Sequence, residues 1–189
     1  MKILISGGCK NGKTTYAQEL ALNMRKAGVP LYYLATMIAA DNEDKARITR
    51  HQKEREGLGF ETVEAGKDIG TVADNRSPRS VWLLDSLTAL LANEMFFPDG
   101  RTQPGAAKKV SADLTLFLRK AQDAVVVSDS IYSDAFLFDE MTEMYRRGLA
   151  LIDRHAASLC DVVIEASGGV YIPHKGVEVL KEFSDEIRR

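Results

Sequence analysis

The chain has 189 residues, 45% of them apolar, which suits one domain of ordinary size with a real core. Lysine and arginine number 25 against 27 acidic residues, a formal net charge of −2 spread along the chain, so there is no electrostatic footprint for nucleic acid or an anionic membrane. Two cysteines, Cys9 and Cys160, make no disulfide framework, and no apolar run approaches membrane-spanning length, so a cytoplasmic protein is the expectation.

The opening run, Ile3-Leu4-Ile5, reads as a core strand rather than a signal peptide. It leads into Gly7-Gly8-Cys9-Lys10-Asn11-Gly12-Lys13-Thr14-Thr15, which fits the phosphate-binding pattern G-x-x-x-x-G-K-[ST]. Glycines let successive amide N–H groups turn inward on a phosphate, and Gly12 admits it close to the main chain. Lys13 carries a mobile positive charge for the β and γ phosphates, and Thr14 offers a hydroxyl to phosphate-bound Mg²⁺. Ala17, Leu20, Ala21 and Met24 recur at helical spacing up to Gly28, which places the anion at a helix N-terminus. Cys9 reads as a small residue filling the loop rather than as a redox centre.

Leu31 to Ala35 reads as a second buried strand, completing a βαβ unit. Asp41 to Glu56 is polar and helix-favouring, with Asp41 as N-cap and Gly57 as stop. Arg47, His51 and Arg55 fall at i, i+4 and i+8, which sets an imidazole between two guanidinium groups on one face. Guanidinium groups approaching the ring would favour neutral, nucleophilic imidazole; spacing alone favours the plainer reading, His51 as one polar residue of a solvated helix. Phe60 to Glu64 is a short strand candidate, and a weak helix follows near Asp68 to Ala73. Val81-Trp82-Leu83-Leu84 closes on Asp85, a carboxylate at a strand end where ligands of open α/β sheets bind. Asp85 is either a Mg²⁺-directed residue or the N-cap of a helix from Ser86 to Phe96, and the two roles are compatible.

Phe97 to Gly105 reads as a mobile loop, Val110 to Ala121 as an amphipathic helix and Ala124 to Ser128 as a buried strand. Asp129 to Phe138 mixes polar residues with Ile131, Tyr132, Phe136 and Phe138, which suggests packing over a ligand, against a partner subunit, or onto the core as a satellite cluster. A helix through Met141 to Ile152, a strand from Asp161 to Ala166, an edge strand at Val170 to Ile172 and a charged-ended helix from Val177 complete the chain. His155 and His174 read as structural. The alternation predicts a P-loop α/β domain, a mostly parallel sheet covered by helices on both faces.

These residues together resemble the bifunctional adenosylcobinamide kinase/adenosylcobinamide-phosphate guanylyltransferase family of cobalamin biosynthesis. The resemblance is carried by the Gly7 to Thr14 loop, Tyr33 to Thr36, the block Arg47-Ile48-x-x-His51-x-x-x-Arg55, the spaced Phe60, Thr62 and Glu64, Asp85 to Thr88, and Asn93. It implies a RecA-like P-loop fold, a homotrimer, nucleotide and corrinoid substrates, GTP or ATP with Mg²⁺, and guanylylation of His51. The nucleotide-binding positions it implies are Gly7 to Thr15, Arg47, Arg55, Glu64 and Asp85, with Lys13 and His51 catalytic and Thr14 and Asp85 on the metal. The second half departs from the family's usual Ser-Asn-Glu-Val-Gly, reading Ser128-Asp129-Ser130-Ile131-Tyr132, and Asp153-Arg154 stands where Asn-Gln is usual. Two other readings stay open: a P-loop kinase of another small molecule without guanylyl transfer, and a non-catalytic nucleotide-binding regulatory protein.

Overall fold

The computed structural model describes residues 1–133 and 135–187. Asp134, inside the apolar-rich segment, and the charged end at Arg188 and Arg189 lie outside the described residues. In chain order the strands are β1 (Lys2–Gly7), β2 (Leu31–Ala35), β3 (Glu61–Glu64), β4 (Val81–Asp85), β5 (Asp123–Asp129), β6 (Val162–Ser167) and β7 (Val170–Lys175). The helices are α1 (Lys13–Met24), α2 (Asn42–Glu54), α3 (Leu87–Met95), α4 (Ala106–Lys120), α5 (Glu140–Leu159) and α6 (Val177–Ile187). The strands form one seven-stranded sheet in the order β3-β2-β4-β5-β1-β6-β7, parallel except for the antiparallel pairing of β6 with β7.

The central strands are apolar throughout because both of their faces are covered, and successive side chains go to opposite sides. Leu4, Leu34, Trp82, Leu84 and Val126 join one cluster with Leu87 and Leu90 of α3, Leu114 and Phe117 of α4, and Leu149 and Ile152 of α5. Ile3, Ile5, Tyr33, Leu83, Val125 and Val127 join the other, under Ala17, Leu20 and Ala21 of α1, with Leu180 and Phe183 of α6 packed against it. Trp82 is fully buried, and its indole N–H is satisfied by Ser80 Oγ at 2.8 Å. This is the α/β domain of P-loop type that the alternation predicts. No described helix is long and apolar enough to cross a membrane.

Sheet order positions the site. The chain leaves β1 toward α1 on one face and leaves β5 toward α5 on the other, so the crevice between these neighbouring strands opens at their carboxyl ends. The weak helix expected near Asp68 is a single 3-10 turn, Ile69–Thr71. The expected loop at Phe97 to Gly105 holds a tight turn, with Phe97 N–H donating to the Arg101 carbonyl at 3.0 Å and Phe96 bridging Thr102.

Candidate functional site

The loop between β1 and α1 is built by close approach. A Cβ on Gly7 would stand 2.2 Å from the Ala166 carbonyl oxygen of β6, so this position takes only glycine. Gly12 has φ 85°, a left-handed conformation, and precedes α1 without a side-chain cap, which leaves the first N–H groups of the helix to a ligand. Asn11 Nδ2 ties the loop to β6 by donating to the same Ala166 oxygen at 2.5 Å. Lys13 is buried. Its Nζ donates to the Gly8 carbonyl at 2.5 Å and Asn11 Oδ1 at 3.3 Å, and pairs with Asp129 Oδ1 at 2.8 Å. Asp129 is itself held, its N–H donating to Thr88 Oγ1 at 2.9 Å and the next N–H, Ser130, donating to the Gly7 carbonyl at 3.0 Å. Gly8, Cys9, Lys10 and Thr15 are exposed, and Cys9 is a free thiol.

One carboxylate oxygen joins this loop to the histidine helix. Asp85 ends β4, and its Oδ2 accepts from Thr14 Oγ1 at 3.2 Å and from the Tyr33 hydroxyl at 2.6 Å, and lies 3.8 Å from His51 Nδ1. Burial first, then the Asp85 carboxylate, pushes the Tyr33 phenol well above its ordinary range, so it stays a donor. Asp85 does not cap α3. Ser86 does, accepting from the Ala89 N–H at 3.3 Å, because Asp85 still belongs to the strand while Ser86 is the extended residue before the helix. The Asp85 carboxylate therefore faces the loop, and with the Thr14 hydroxyl it forms a pair of hard oxygen donors of the kind that suits Mg²⁺ beside phosphates.

α2 starts as expected, with Asp41 Oδ1 accepting from the Asp44 N–H at 2.8 Å, and the chain leaves it just before Gly57. It buries no residue in the core and forms one wall of a cavity of about 370 Å³ lined by Tyr33, Arg47, His51, Gln52, Arg55, Glu64 and Asp85, among others. The expectation of a histidine between two arginines on one helical face needs correction. Arg55 is the C-cap, outside the regular helix; its guanidinium lies 4.1 Å over the Tyr33 ring and donates to Thr62 Oγ1 at 3.1 Å. A carboxylate, that of Asp85, lies within 4 Å of the imidazole, and Arg47 lines the same cavity. Thr36 and Asn93 brace the cavity floor: Thr36 Oγ1 donates to the Ser86 carbonyl and accepts its N–H, while Asn93 Nδ2 donates to the carbonyls of Thr36 and Gly66.

The segment after β5 divides. Ile131 and Tyr132 pack on the core, whereas Phe136, Leu137 and Phe138 are exposed. Behind β1 and β5, Tyr132 donates to Asp153 Oδ2 at 2.8 Å and Ser6 to the same oxygen at 3.3 Å, while Asp153 Oδ1 and Ser128 Oγ are buried with no hydrogen-bond partner among the described residues. Burial raises the Asp153 carboxyl above its usual range, and the surrounding hydroxyl groups offset only part of that. His155 Nε2 lies 2.7 Å from Thr115 Oγ1, and His174 Nε2 lies 2.7 Å from Glu165 Oε2. The acidic group Asp68, Glu94 and Asp113 surrounds Lys109 Nζ, which supplies the cation and fastens the 3-10 turn to α3 and α4.

The sequence singles out neither Tyr33 nor Asp129 as a site residue, although Tyr33 donates to Asp85 and Asp129 pairs with Lys13. Asp129 carried the same signal as Asp85, a carboxylate closing a buried parallel strand. Tyr33 falls in a strand end that carries the resemblance, but its place beside Asp85 depends on β2 and β4 becoming neighbours.

The family model described as CobU, cobinamide kinase / cobinamide phosphate guanyltransferase, matches residues 3–173. Curated relatives include the bifunctional adenosylcobalamin biosynthesis protein CobP of Pseudomonas aeruginosa, 24% identical over 93% of this chain and 98% of its own. The bifunctional adenosylcobalamin biosynthesis proteins CobU of Salmonella typhimurium and Escherichia coli are 29% and 30% identical, each over 55% of this chain, which spans about half of their length (55%). Solved structures of similar outline include flagellar accessory protein FlaH from Methanocaldococcus jannaschii, with 14% identity and TM-score 0.43 over 90% of this chain and 74% of that one. A KaiC-like protein from Pyrococcus horikoshii has 13% identity and TM-score 0.44 over 87% and 69%. With the family model covering all but the two ends, the chain belongs to the cobinamide kinase / cobinamide phosphate guanyltransferase family.

Proposed function

We propose that the chain is a bifunctional transferase of cobalamin biosynthesis, phosphorylating the hydroxyl on the aminopropanol arm of adenosylcobinamide and then transferring GMP from GTP to that phosphate through His51. The observation that supports both halves is the shared Asp85 oxygen, which sets the loop hydroxyl of Thr14 and the imidazole of His51 around one point.

In the first step the acceptor hydroxyl attacks the γ-phosphorus, the new O–P bond forms as the bond to the nucleoside diphosphate breaks, the hydroxyl proton is released to solvent, and the protein holds the reactants in line. The loop N–H groups and Lys13 hold the phosphates, with Thr14 and Asp85 the residues that would hold Mg²⁺. Mg²⁺ there would neutralise phosphate charge and steady the leaving group. In the second step His51 is the nucleophile. Nδ1 is the nitrogen turned toward Asp85, so Nε2 attacks the α-phosphorus of GTP, an N–P bond forms and pyrophosphate leaves. An oxygen of the corrinoid phosphate then attacks the same phosphorus, the N–P bond breaks, and His51 is regenerated. Arg47 supplies donors to the α-phosphate oxygens, and the cavity beside Glu64 and Arg55 receives the guanosine. The exposed Phe136, Leu137 and Phe138 fit the homo-oligomeric assembly, a trimer by resemblance, in a cytoplasmic enzyme.

Intact-mass measurement after incubation with GTP and Mg²⁺ tests this reading. Wild type is expected to gain an acid-labile, base-stable GMP adduct, and His51→Ala none, while His51→Ala keeps phosphoryl transfer within a few-fold. Phosphoryl transfer with no adduct on wild type would favour a kinase without guanylyl transfer.

A further inference from the structure

Two tyrosines outside the groups used above lie against the phosphate loop. Tyr16, in the first turn of α1, and Tyr171, on β7, stack with ring centroids 3.8 Å apart and planes 13° from parallel. The pair is flatter and closer than the roughly 4.5–7 Å usual for aromatic pairs. Tyr171 is fastened to the loop, its hydroxyl donating to the Gly12 carbonyl at 3.3 Å, and a Cβ on Gly12 would stand 3.0 Å from that hydroxyl. The Gly168-Gly169 turn brings β7 back along β6, pairing Tyr171 with Ala166, whose carbonyl accepts from Asn11 of the loop. A Cβ built on Gly8, Gly168 or Gly169 meets no heavy atom within 4 Å, so the space around the hairpin tip is open.

Strand order gives this stack a direction. Asp85 and Asp129 end β4 and β5, on one side of β1, and Tyr171 stands on β7, on the other. A nucleoside triphosphate in the loop with its γ-phosphate toward Lys13, Asp129 and Asp85 therefore carries its nucleoside toward β7. Both tyrosines keep part of their surface in solvent. We infer that the Tyr16–Tyr171 stack is the platform for the nucleobase of the phosphoryl-donor nucleotide, separate from the cavity beside His51. This inference rests on reading Gly7–Thr14 as a phosphate loop. Stacking on a ring face tolerates any base, because every base has a π-face, and the larger purines cover more of the platform.

The test compares ADP with inorganic pyrophosphate, both with Mg²⁺, by calorimetry on the full chain, so that no turnover intervenes. Tyr171→Ala is expected to raise the Kd for ADP about tenfold, from the stacking contribution of an aromatic side chain to a base, and to leave the Kd for pyrophosphate unchanged. Tyr171→Phe, which keeps the ring, is expected to bind ADP like wild type. Etheno-ADP fluorescence reads the stack directly: wild type quenches it and Tyr171→Ala does not. If Tyr171→Ala fails to fold, Tyr171→Leu retains the apolar packing of the edge strand and is expected to give the same pattern. Equal weakening of ADP and pyrophosphate, or unchanged ADP affinity and quenching, overturns the platform while leaving the phosphate loop. Failure of wild type to bind pyrophosphate overturns the loop reading and the platform with it.

Discussion

Two adjacent strands of the sheet end on a carboxylate, and the two carboxylates face different partners. Asp85, closing β4, faces the hydroxyl groups of Thr14 and Tyr33 and the ring of His51, with no ammonium or guanidinium paired to it among the described residues. Asp129, closing β5, is paired with Lys13, the loop cation that the proposed function assigns to phosphate. The same local pattern therefore yields one carboxylate available to a cation and another that occupies the site's own cation. At a strand end, the charge of the neighbour decides what a carboxylate does.

The largest test removes charge from the first. Asp85→Asn keeps the shape at the end of β4 and retains an acceptor for Tyr33, but it takes a charged oxygen donor from beside Thr14. Mg²⁺-dependent turnover is expected to fall on the order of 10²-fold, with the Mg²⁺ concentration for half-maximal rate raised, while Mg²⁺-free nucleotide affinity changes little. A Mg²⁺ titration checks this, and an unchanged metal dependence would reduce Asp85 to an anchor for Tyr33.

The second test reverses the sign at the other strand end. On the proposed reading, nucleotide binding draws Lys13 from Asp129 and seats phosphate near that carboxylate, so Asp129→Asn is expected to tighten Mg²⁺–ADP binding several-fold. The effect stays moderate because Lys13 keeps the Gly8 carbonyl and Asn11 as partners. Calorimetry of the two proteins at equal ionic strength measures it; weaker binding would show that Asp129 holds Lys13 in its productive place.

The contrast also marks how far the residues could be read before the fold was known. β2 and β4 fall where their apolar runs end, because strands buried on both faces carry no competing pattern. The loop, its helix and the Asp41 cap were legible because each is a local feature of a few consecutive residues. Arg55 was misplaced since helical spacing was extended past the last regular turn, where the chain turns away and Tyr33 offers the guanidinium a flat partner. The Lys13–Asp129 pair and the Tyr16–Tyr171 stack join residues far apart in sequence, and only the strand order brings them together.

The smallest effect concerns a third carboxylate, Asp153, which lies behind both strand ends and buries one oxygen without a partner among the described residues. Its carboxyl is raised by burial, so the folded chain holds the proton more tightly than the unfolded one. Stability therefore declines as pH rises from the unfolded carboxylate range, near the ordinary value of 3.8, through the higher folded value, because ionisation favours the unfolded chain over that window. Asp153→Asn removes the ionisable group, keeps an acceptor for Tyr132, and brings an amide donor beside the Ser128 hydroxyl. The gain expected near neutral pH is about 1 kcal/mol, or roughly 2–4 °C in thermal midpoint for a chain of this size. The advantage should shrink as pH falls through the folded value toward about 4 and be absent below it, where wild-type Asp153 is protonated in both states. Thermal unfolding of the two proteins across roughly pH 3.5 to 8 decides it. A difference that does not change with pH would mean that Asn acts through packing or hydrogen bonding, and a less stable variant at neutral pH would show the Asp153 carboxylate to be a favourable part of the crevice.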